Sequence, residues 1–315
     1  AGRALPYVDG IDMAIISDVT LAQSAFRAGR LQCSCPSGSD FMTDGLEQLQ
    51  KEIPGVNLGL TYPAPHILQF NLQRPPFSNA AFRQAVAIGF DKEKVSAVWR
   101  SGKNYRPGPP LYPPENGGRW GLPKSELVTM AGYNPNHAAD VALAQQKFKE
   151  SGIDPKSVQL EMLYSTFFGP EGDLLVTVLG ELGLQVKATP LGGADYAKRR
   201  GDGTFDIAHH TPGIGIDDPA DGYTSLMATG GTSNFGKYSN AKVDQMLKDQ
   251  DVELDVAKRR AILWDVQKIN LTDFPTAPFF WGGAVYGARP EVKNFKTPPL
   301  SVHAAFRMDE VWLEQ

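Results

Sequence analysis

The residues best suited to chemistry in this sequence are two adjacent histidines and two adjacent aspartates that follow them. His209 and His210 end a predicted strand, and Asp217 and Asp218 lie in the loop that precedes Pro219. An imidazole within hydrogen-bond reach of a carboxylate is the arrangement that general acid-base catalysis uses. Side chains alternate between the faces of a strand, so at most one of the two histidines joins such a pair. A hydrolase that uses these residues is one hypothesis, and histidines and turn aspartates with structural roles are the alternative.

The common sequence motifs of nucleophilic and nucleotide-dependent enzymes are absent. There is no G-x-S-x-G, H-E-x-x-H, G-x-x-x-x-G-K-[ST] or, after a strand, G-x-G-x-x-G. Cys33 and Cys35 lie in a predicted extended segment, where a disulfide between them is strained, and a metal site needs further ligands nearby. We therefore expect two thiols, and neither a metal ion nor another cofactor.

Aromatic residues in or beside predicted loops indicate a binding cleft. Rings with scattered asparagine and aspartate bind organic solutes by stacking and hydrogen bonds, and packing in a domain core is the alternative for each ring. The aromatic set is Tyr196, Tyr223, Phe235, Tyr238, Phe280, Trp281 and Tyr286.

Composition and charge exclude two classes of partner. The 315 residues are 42% hydrophobic, which is enough for two domains with cores of their own. The net charge is −4 and the longest basic run is 198–200, so the electrostatic signature of a nucleic-acid-binding protein is missing. No stretch approaches the roughly 18 apolar residues of a membrane-spanning helix. No export signal is visible at the first residues, and a processed exported chain looks the same.

Strands and helices alternate along the chain, which predicts an α/β fold. The spacing favours βαβ units and a mostly parallel sheet, so we expect residues 75–270 to form one α/β domain. Its predicted strands and helices include 158–164, 171–181, 184–189, 195–200 and 205–209. Earlier strands are expected at 8–16 and 31–35. Further helices are expected at 20–28 and 43–51, and after Ser78, Asp91, Asn134, Asn240 and Asp255.

Two segments are predicted to cross between two bodies of structure. Prolines bracket the strand-like segment 66–72, and a return strand begins at 279–281 after two further prolines. Two crossings make a hinge. Between them, the proline- and glycine-rich segment 102–132 predicts a long ordered loop or lid that is pinned by Tyr105, Tyr112 and Trp120.

Short segments in a particular order carry a family resemblance. They are Leu5-Pro6-Tyr7-Val8-Asp9-Gly10-Ile11, Phe26-Arg27-Ala28-Gly29, Asn71-Leu72, Arg74-Pro75-Pro76-Phe77-Ser78, Arg83-Gln84-Ala85-Val86, Phe90-Asp91, Tyr133-Asn134-Pro135, Phe205-Asp206-Ile207, Asp218-Pro219, Asn234-Phe235, Tyr238-Ser239-Asn240, Val243-Asp244, Arg259-Arg260 and Pro275. In order and spacing they resemble the extracellular solute-binding proteins of ABC transporters, family 5, the dipeptide and oligopeptide group.

The resemblance implies a type II periplasmic-binding-protein fold and a chain that is a C-terminal fragment of a longer protein. Residues 1–70 then correspond to the end of the first lobe and the first crossing, and 71–278 to a complete second α/β lobe. Residues 279–315 correspond to the return crossing and the last segment of the first lobe. The implied location is the periplasm or the cell surface.

The implied function is capture of a peptide or other small organic solute between the lobes and delivery to a membrane permease. We expect a monomer that is peripheral to the membrane and binds no nucleic acid. Peptide-binding members hold the ligand's amino group with an acidic residue a few positions before the Asp-Pro step. Counting back four from Pro219 reaches Gly215, so this role is unfilled unless Asp217 takes it, and the ligand class stays open. The cleft is expected at 209–223 and 234–238. The candidate ligand-binding residues are His209, Asp217, Tyr223, Asn234, Phe235, Tyr238 and Trp281.

Overall fold

A computed structural model describes most of the chain. The described residues are 4–16, 18–34, 46–99, 105–106, 108–112, 114, 117–168, 171–212, 218–220, 222–296 and 307–314. Within these ranges, no helix combines the length and the apolar character that a membrane crossing requires.

The secondary structure alternates between strands and helices through the middle of the chain. The strands are β1 (Asn57–Phe70), β2 (Tyr105–Arg106), β3 (Gln159–Ser165), β4 (Gln185–Leu191), β5 (Ile207–His210), β6 (Thr276–Ala288), β7 (Val292–Lys293) and β8 (Trp312–Leu313). The helices are α1 (Val19–Arg27), α2 (Leu46–Glu52), α3 (Ala80–Gly89), α4 (Lys92–Val98), α5 (Lys124–Leu127), α6 (His137–Ser151), α7 (Glu171–Gly180), α8 (Gly193–Gly201), α9 (Tyr223–Met227), α10 (Ala241–Val252) and α11 (Val256–Asp273).

Six strands form one mixed sheet in the order β2-β6-β1-β5-β3-β4, and β7 pairs with β8 separately. Strands β3, β4 and β5 are parallel, as their helical connections require. Strands β1 and β6 are antiparallel to their neighbours, so the prediction of a mostly parallel sheet is wrong. The reason is that β6 returns directly along β1, and antiparallel neighbours are favoured wherever a chain runs back along itself.

Among the described helices, five begin after a residue whose side chain caps them, namely α1, α3, α4, α10 and α11. Asp91, Asn240 and Asp255 each accept hydrogen bonds from amides of the helix that follows, which confirms these predicted starts. Asn79 caps α3 instead of Ser78, which was expected there. Helix α6 begins at His137, two positions after the predicted first helical residue Pro135, because Asn134 uses its side chain to accept from the amide of Asn136.

Two early strand predictions are wrong. Residues 8–16 are extended without strand pairing, and most of them are exposed. In the segment 31–35, the described part forms a single bridge between Cys33 and Ala288. Cys33 is a thiol, as expected, and Cys35 lies outside the described residues.

The three parallel strands end together at what we call the carboxyl edge, at Ser165, Leu191 and His210. Strand β1 pairs with β5 only from Ile67 onward, and its earlier residues continue past this edge together with β6 as a ribbon, which the short strand β2 joins at Trp281 and Gly282. The far part of the ribbon packs on α1 and α2 through a cluster that contains Phe26, Leu49, Ile53 and Val285. The crossing and return strands therefore run side by side, while the division into lobes stays a prediction.

Hydrophobic cores cover both faces of the sheet. On one face, a cluster built around Leu68, Phe70 and Ile207 packs against α3, α4, α6 and α7. On the other face, Ile67 packs with residues of α9, α10 and α11. In the loop 102–132, Tyr112 and Trp120 are buried as predicted. The side chain of Tyr105 lies outside the described part of the structure.

Candidate functional site at the carboxyl edge

The polar side chains of the carboxyl edge lie where α/β sheets usually bind ligands, just beyond the ends of parallel strands. Strand β5 ends in His209 and His210, and these side chains lie on opposite faces of the sheet, as the sequence predicted. The edge therefore carries two separate clusters, one on each face.

The first cluster, which we call the aromatic cage, encloses His209 together with His66 of β1. The Nδ1 atom of His66 lies 3.0 Å from Nε2 of His209, and one of the two nitrogens donates a hydrogen bond to the other. Rings of four residues surround the pair at centroid distances of 4.5–6.0 Å from one or both histidines. They are Trp99, Phe168, Phe279 and Phe280.

Burial fixes the protonation state of His209. The residue is 1% exposed, and removal from water lowers the pKa of its imidazole to about 3. The side chain is therefore neutral near pH 7. A neutral ring enclosed by other rings is suited to packing and to holding β5 against β1, and it is a poor proton donor.

The second cluster, which we call the arginine pocket, places a cation among aromatic rings on the other face. The guanidinium of Arg200, from α8, lies 4.8 Å from the ring centroid of Tyr196 and 4.2 Å from that of Phe235. It donates a hydrogen bond to Nδ1 of His210, whose ring meets Phe235 edge-on. The hydroxyl of Tyr196 in turn donates to the carbonyl of His209, which holds α8 against the strand.

Two donors in the arginine pocket have no acceptor among the described residues. Because Arg200 donates to Nδ1 of His210, the proton of that neutral ring sits on Nε2. Nε2 of His210 and Nε of Arg200 are both buried without a hydrogen-bond partner among the described residues. No carboxylate in the described ranges forms an ion pair with Arg200. A buried donor that lacks an acceptor costs about 1–3 kcal/mol, so an acceptor with negative charge complements this pocket.

The pKa of His210 lies well below its ordinary value. Burial is the largest cause, and the neighbouring positive charge of Arg200 adds to it, followed by His209. The pocket therefore holds one permanent positive charge and a neutral imidazole that acts as a donor.

The described residues do not assemble the histidine-carboxylate pair of the hydrolase hypothesis. Asp218 accepts two hydrogen bonds from Arg259, at 2.7 and 2.8 Å, and neither His209 nor His210 contacts a carboxylate of the described chain. Asp217 lies outside the described residues, as does Gly215. Within the described ranges, no group of three or more His, Cys, Asp and Glu side chains is placed to hold a metal ion.

The remaining predicted site residues have well-defined contacts within the protein. Asn234 donates to the carbonyls of Ala228 and Tyr238 and accepts from the amide of Tyr238, so its side chain holds its own loop together. Tyr223 is 2% exposed and packs in the core under α9 and α10. Contact of these two side chains with a ligand stays a prediction.

Tyr238 and Trp281 are also anchored. The hydroxyl of Tyr238 donates to Oδ2 of Asp273 at 2.5 Å, and Nε1 of Trp281 donates to the carbonyl of Pro109 at 2.9 Å. Trp281 lies on the ribbon beyond the carboxyl edge, where its ring meets Tyr112. The structure thus brings Phe235 and His210 together and separates His209, on the opposite face, from both.

Sequence reasoning missed His66, Phe168 and Arg200. The sequence places His66 only in a predicted crossing strand. Its partner His209 is 143 positions away, so no local pattern indicates the pair. Arg200 was noted only as the last member of a basic run. Its position on α8 distinguishes it from Arg199. The two neighbours point in different directions from the helix, and Arg199 pairs with Glu161.

The mixed α/β sheet, whose two long strands run past a polar, aromatic carboxyl edge, is an arrangement that other proteins share. Among solved structures, the chain is similar to the DppA periplasmic binding protein of Helicobacter pylori in complex with peptide STSA, with TM-score 0.74 and 22% identity, covering 95% of this chain and 56% of that chain. It is also similar to OppA of Burkholderia pseudomallei, with TM-score 0.74, 20% identity, and coverage of 95% and 57%. The fold is therefore that of the type II periplasmic binding proteins.

Sequence comparison identifies the family. The family model described as bacterial extracellular solute-binding proteins, family 5 Middle, matches residues 2–235. The chain belongs to this family. Among curated relatives, the probable deoxycholate-binding periplasmic protein YgiS of Escherichia coli is 22% identical over 78% of this chain and 45% of its own length. Di/tripeptide-binding protein 1 of Pseudomonas aeruginosa is 22% identical over 96% of this chain and 55% of its own length. The chain thus spans about half the length of the curated relatives that it matches.

Proposed function

We propose that this chain is part of the solute-binding component of an ABC importer and that the arginine pocket receives an anionic group of the solute. The observation that carries the proposal is the guanidinium of Arg200, which lies between two rings, beside a buried histidine donor, without a carboxylate partner among the described residues. A solute carboxylate supplies both the missing acceptor and the missing charge. Charge-assisted hydrogen bonds of this kind are about twice as strong as neutral ones.

The class of solute follows from the chemistry around the guanidinium. The rings of Tyr196 and Phe235 supply apolar walls, while Arg200 and His210 supply the polar groups that fix orientation. A peptide with a free carboxylate, or another small organic acid, matches these groups. The names of the relatives support both, because one is a di/tripeptide-binding protein and another a probable deoxycholate-binding protein.

The mechanism that we propose is capture by closure of two lobes. The ribbon of β1 and β6 leaves the α/β body at the carboxyl edge, which is the place where a second lobe closes over a solute at that edge. The closed protein then delivers the solute to a membrane permease. In this proposal the protein works as a monomer at the periplasmic or cell-surface side of the membrane and leaves the solute chemically unchanged.

Native mass spectrometry of the protein taken from its source cells tests the proposal. We expect an unmodified small molecule to remain bound. A mixture of short peptides, offered beside the same peptides with amidated C-termini, then tests the charge requirement. We expect the free carboxylates to bind at least tenfold more tightly than the amides, which corresponds to about 1.4 kcal/mol.

Matched variants identify the residue responsible. Arg200→Gln is expected to remove the preference for a free carboxylate. Arg199→Gln removes a neighbouring charge that is already paired with Glu161, so it is expected to keep the preference. Equal affinity of carboxylates and amides for the unmodified protein contradicts the role of the arginine pocket, and chemical conversion of the bound solute contradicts the importer function.

A further inference from the structure

The turn between α10 and α11 exposes an unusual concentration of apolar side chains. Val252 is 77% exposed, Leu254 94% and Val256 49%. Single exposed apolar residues are ordinary on protein surfaces, but a group of them marks an interaction site. These three alternate with charged residues over five positions at the turn, which we call the hairpin tip (residues 249–256).

Four carboxylates surround the apolar side chains of the hairpin tip. They are Asp249, Asp251, Glu253 and Asp255. Their contacts are with neutral groups: Gln245 donates to Asp249, Gln250 donates to Asp251, and Asp255 accepts from the first amides of α11. No lysine or arginine of the described chain forms an ion pair with any of the four, although Lys248 and Lys258 are near in sequence.

The hairpin tip lies on the same side of the molecule as the candidate site. Helix α10 begins and α11 ends at the opposite side, where β6 begins. There the side-chain Nδ2 of Asn240 donates to Oδ2 of Asp273 at 3.2 Å. Twelve residues of helix α10 then span about 18 Å toward the carboxyl edge. The closed end of the hairpin is therefore beside the loop that follows β5.

The side chain of Arg259 joins the hairpin tip to the described end of that loop. Arg259 donates from Nε to Oε1 of Gln250 at 2.9 Å, and from its two terminal nitrogens to the carboxylate of Asp218. Its guanidinium also lies 4.8 Å from the ring centroid of Trp120. Arg259 thus links the base of the hairpin tip to Asp218.

We propose that the hairpin tip docks on a subunit of the membrane permease, in an apolar depression lined by lysine or arginine. The inference rests on the proposed function, which requires such a partner. Leu254 fills the depression, and the surrounding carboxylates pair with the partner's cations. Charge decides the occupant, because two copies of this tip repel each other, whereas a basic surface supplies the cations that the described chain does not.

Site-specific cross-linking tests the contact. A photoreactive amino acid replaces Leu254 in the protein as its source cells make it, and the protein is mixed with vesicles prepared from the membranes of those cells. We expect a cross-link to an integral membrane subunit of an ABC importer, identified by mass spectrometry. The same probe at Leu21, which is 60% exposed on α1, is the control and is expected to give no such product. A cross-link from position 254 to the same chain, to a second copy or to a soluble protein overturns the inference.

Variants test the two parts of the surface. Leu254→Ser and the pair Asp251→Asn with Glu253→Gln are each expected to lower vesicle binding at least tenfold, while Leu21→Ser leaves it unchanged. The unfolding midpoint of each variant shows that the fold persists. The solute retained in native mass spectrometry shows that solute capture persists. If these variants bind the vesicles as tightly as the unmodified protein does, the inference is overturned and the proposed function is left intact. An unmodified protein that retains no solute and binds no vesicles contradicts both.

Discussion

His66 Nδ1 and His209 Nε2 share one hydrogen bond of 3.0 Å inside the aromatic cage. The bond joins β1, which continues past the carboxyl edge, to the end of β5. Strand β5 leads into the loop of the candidate site. One nitrogen must donate and the other must accept, so the bond is satisfied by two neutral rings. The pair therefore fixes the position of β5 relative to the ribbon without placing a charge in the core.

The first prediction concerns pH. Burial lowers the pKa of His209 to about 3 in the folded protein, against an unfolded value of about 6.5. The unfolded chain thus binds more protons between these values, so stability falls as pH falls below about 6.5, by up to about 1.4 kcal/mol per pH unit for this group. We expect urea unfolding at pH 7, 6 and 5 to show this loss.

A double variant isolates the contribution of the pair. His66→Phe with His209→Phe places two rings in a cage of rings and removes the buried imidazoles. We expect its stability to decline less with falling pH than that of the unmodified protein. Some decline remains, because His210 is present in both proteins. Identical pH dependence in the two proteins contradicts the assignment.

The second prediction concerns Asp218 and Arg259. Their bidentate pair is partly buried, with side-chain exposures of 27% and 18%. We expect a double-mutant cycle with Asp218→Asn and Arg259→Gln to give a coupling of about 1–2 kcal/mol, above the value of an exposed pair. A coupling near zero in urea unfolding at pH 7 contradicts it.

The same pair has a defined pH range. Burial opposes ionisation of Asp218, but hydrogen bonds from Arg259 and from the amide of Ala220 outweigh it, so the pKa lies below its ordinary value. The coupling is therefore present above about pH 4, the unfolded value of the carboxyl group, and is lost as pH falls through the lower folded value. A cycle repeated at pH 5 is expected to match the result at pH 7.

The third prediction concerns the glycine that lets the loop 228–238 approach β1. A Cβ atom at Gly236 lies 2.2 Å from the carbonyl oxygen of Phe70, so Gly236→Ala forces the loop away from the strand end. We expect a loss of about 1–3 kcal/mol in the free energy of unfolding. Gly180→Ala in α7 is the matched control, because its Cβ meets nothing within 4 Å and alanine favours helix. Equal effects of the two substitutions are the contrary outcome.

The fourth prediction concerns Tyr238. Tyr238→Phe removes the hydrogen bond to Asp273, and we expect a loss of about 1–2 kcal/mol in chemical unfolding. Burial and the hydrogen bond to Asp273 raise the pKa of Tyr238, so the hydroxyl donates throughout the neutral range. Unchanged stability together with weaker solute capture instead assigns the hydroxyl to the solute.

The local features of this protein follow from residues that are close together in the chain. Helix starts at Asp91, Asn240 and Asp255 are confirmed because a cap depends on a side chain and the next few amides. The opposite orientation of His209 and His210 follows from the period of a strand alone. The order of short segments along the chain likewise indicated the family, since order is a property of sequence.

Which distant residues meet depends on the packing of the folded chain. The return of β6 along β1 made the sheet mixed, and a strand pattern does not specify its neighbour. The same holds for the His66 pair and for Arg200, whose environment depends on how α8 packs against β5. Contacts between residues far apart in sequence arise from packing and burial, and these are set only when the whole chain has folded.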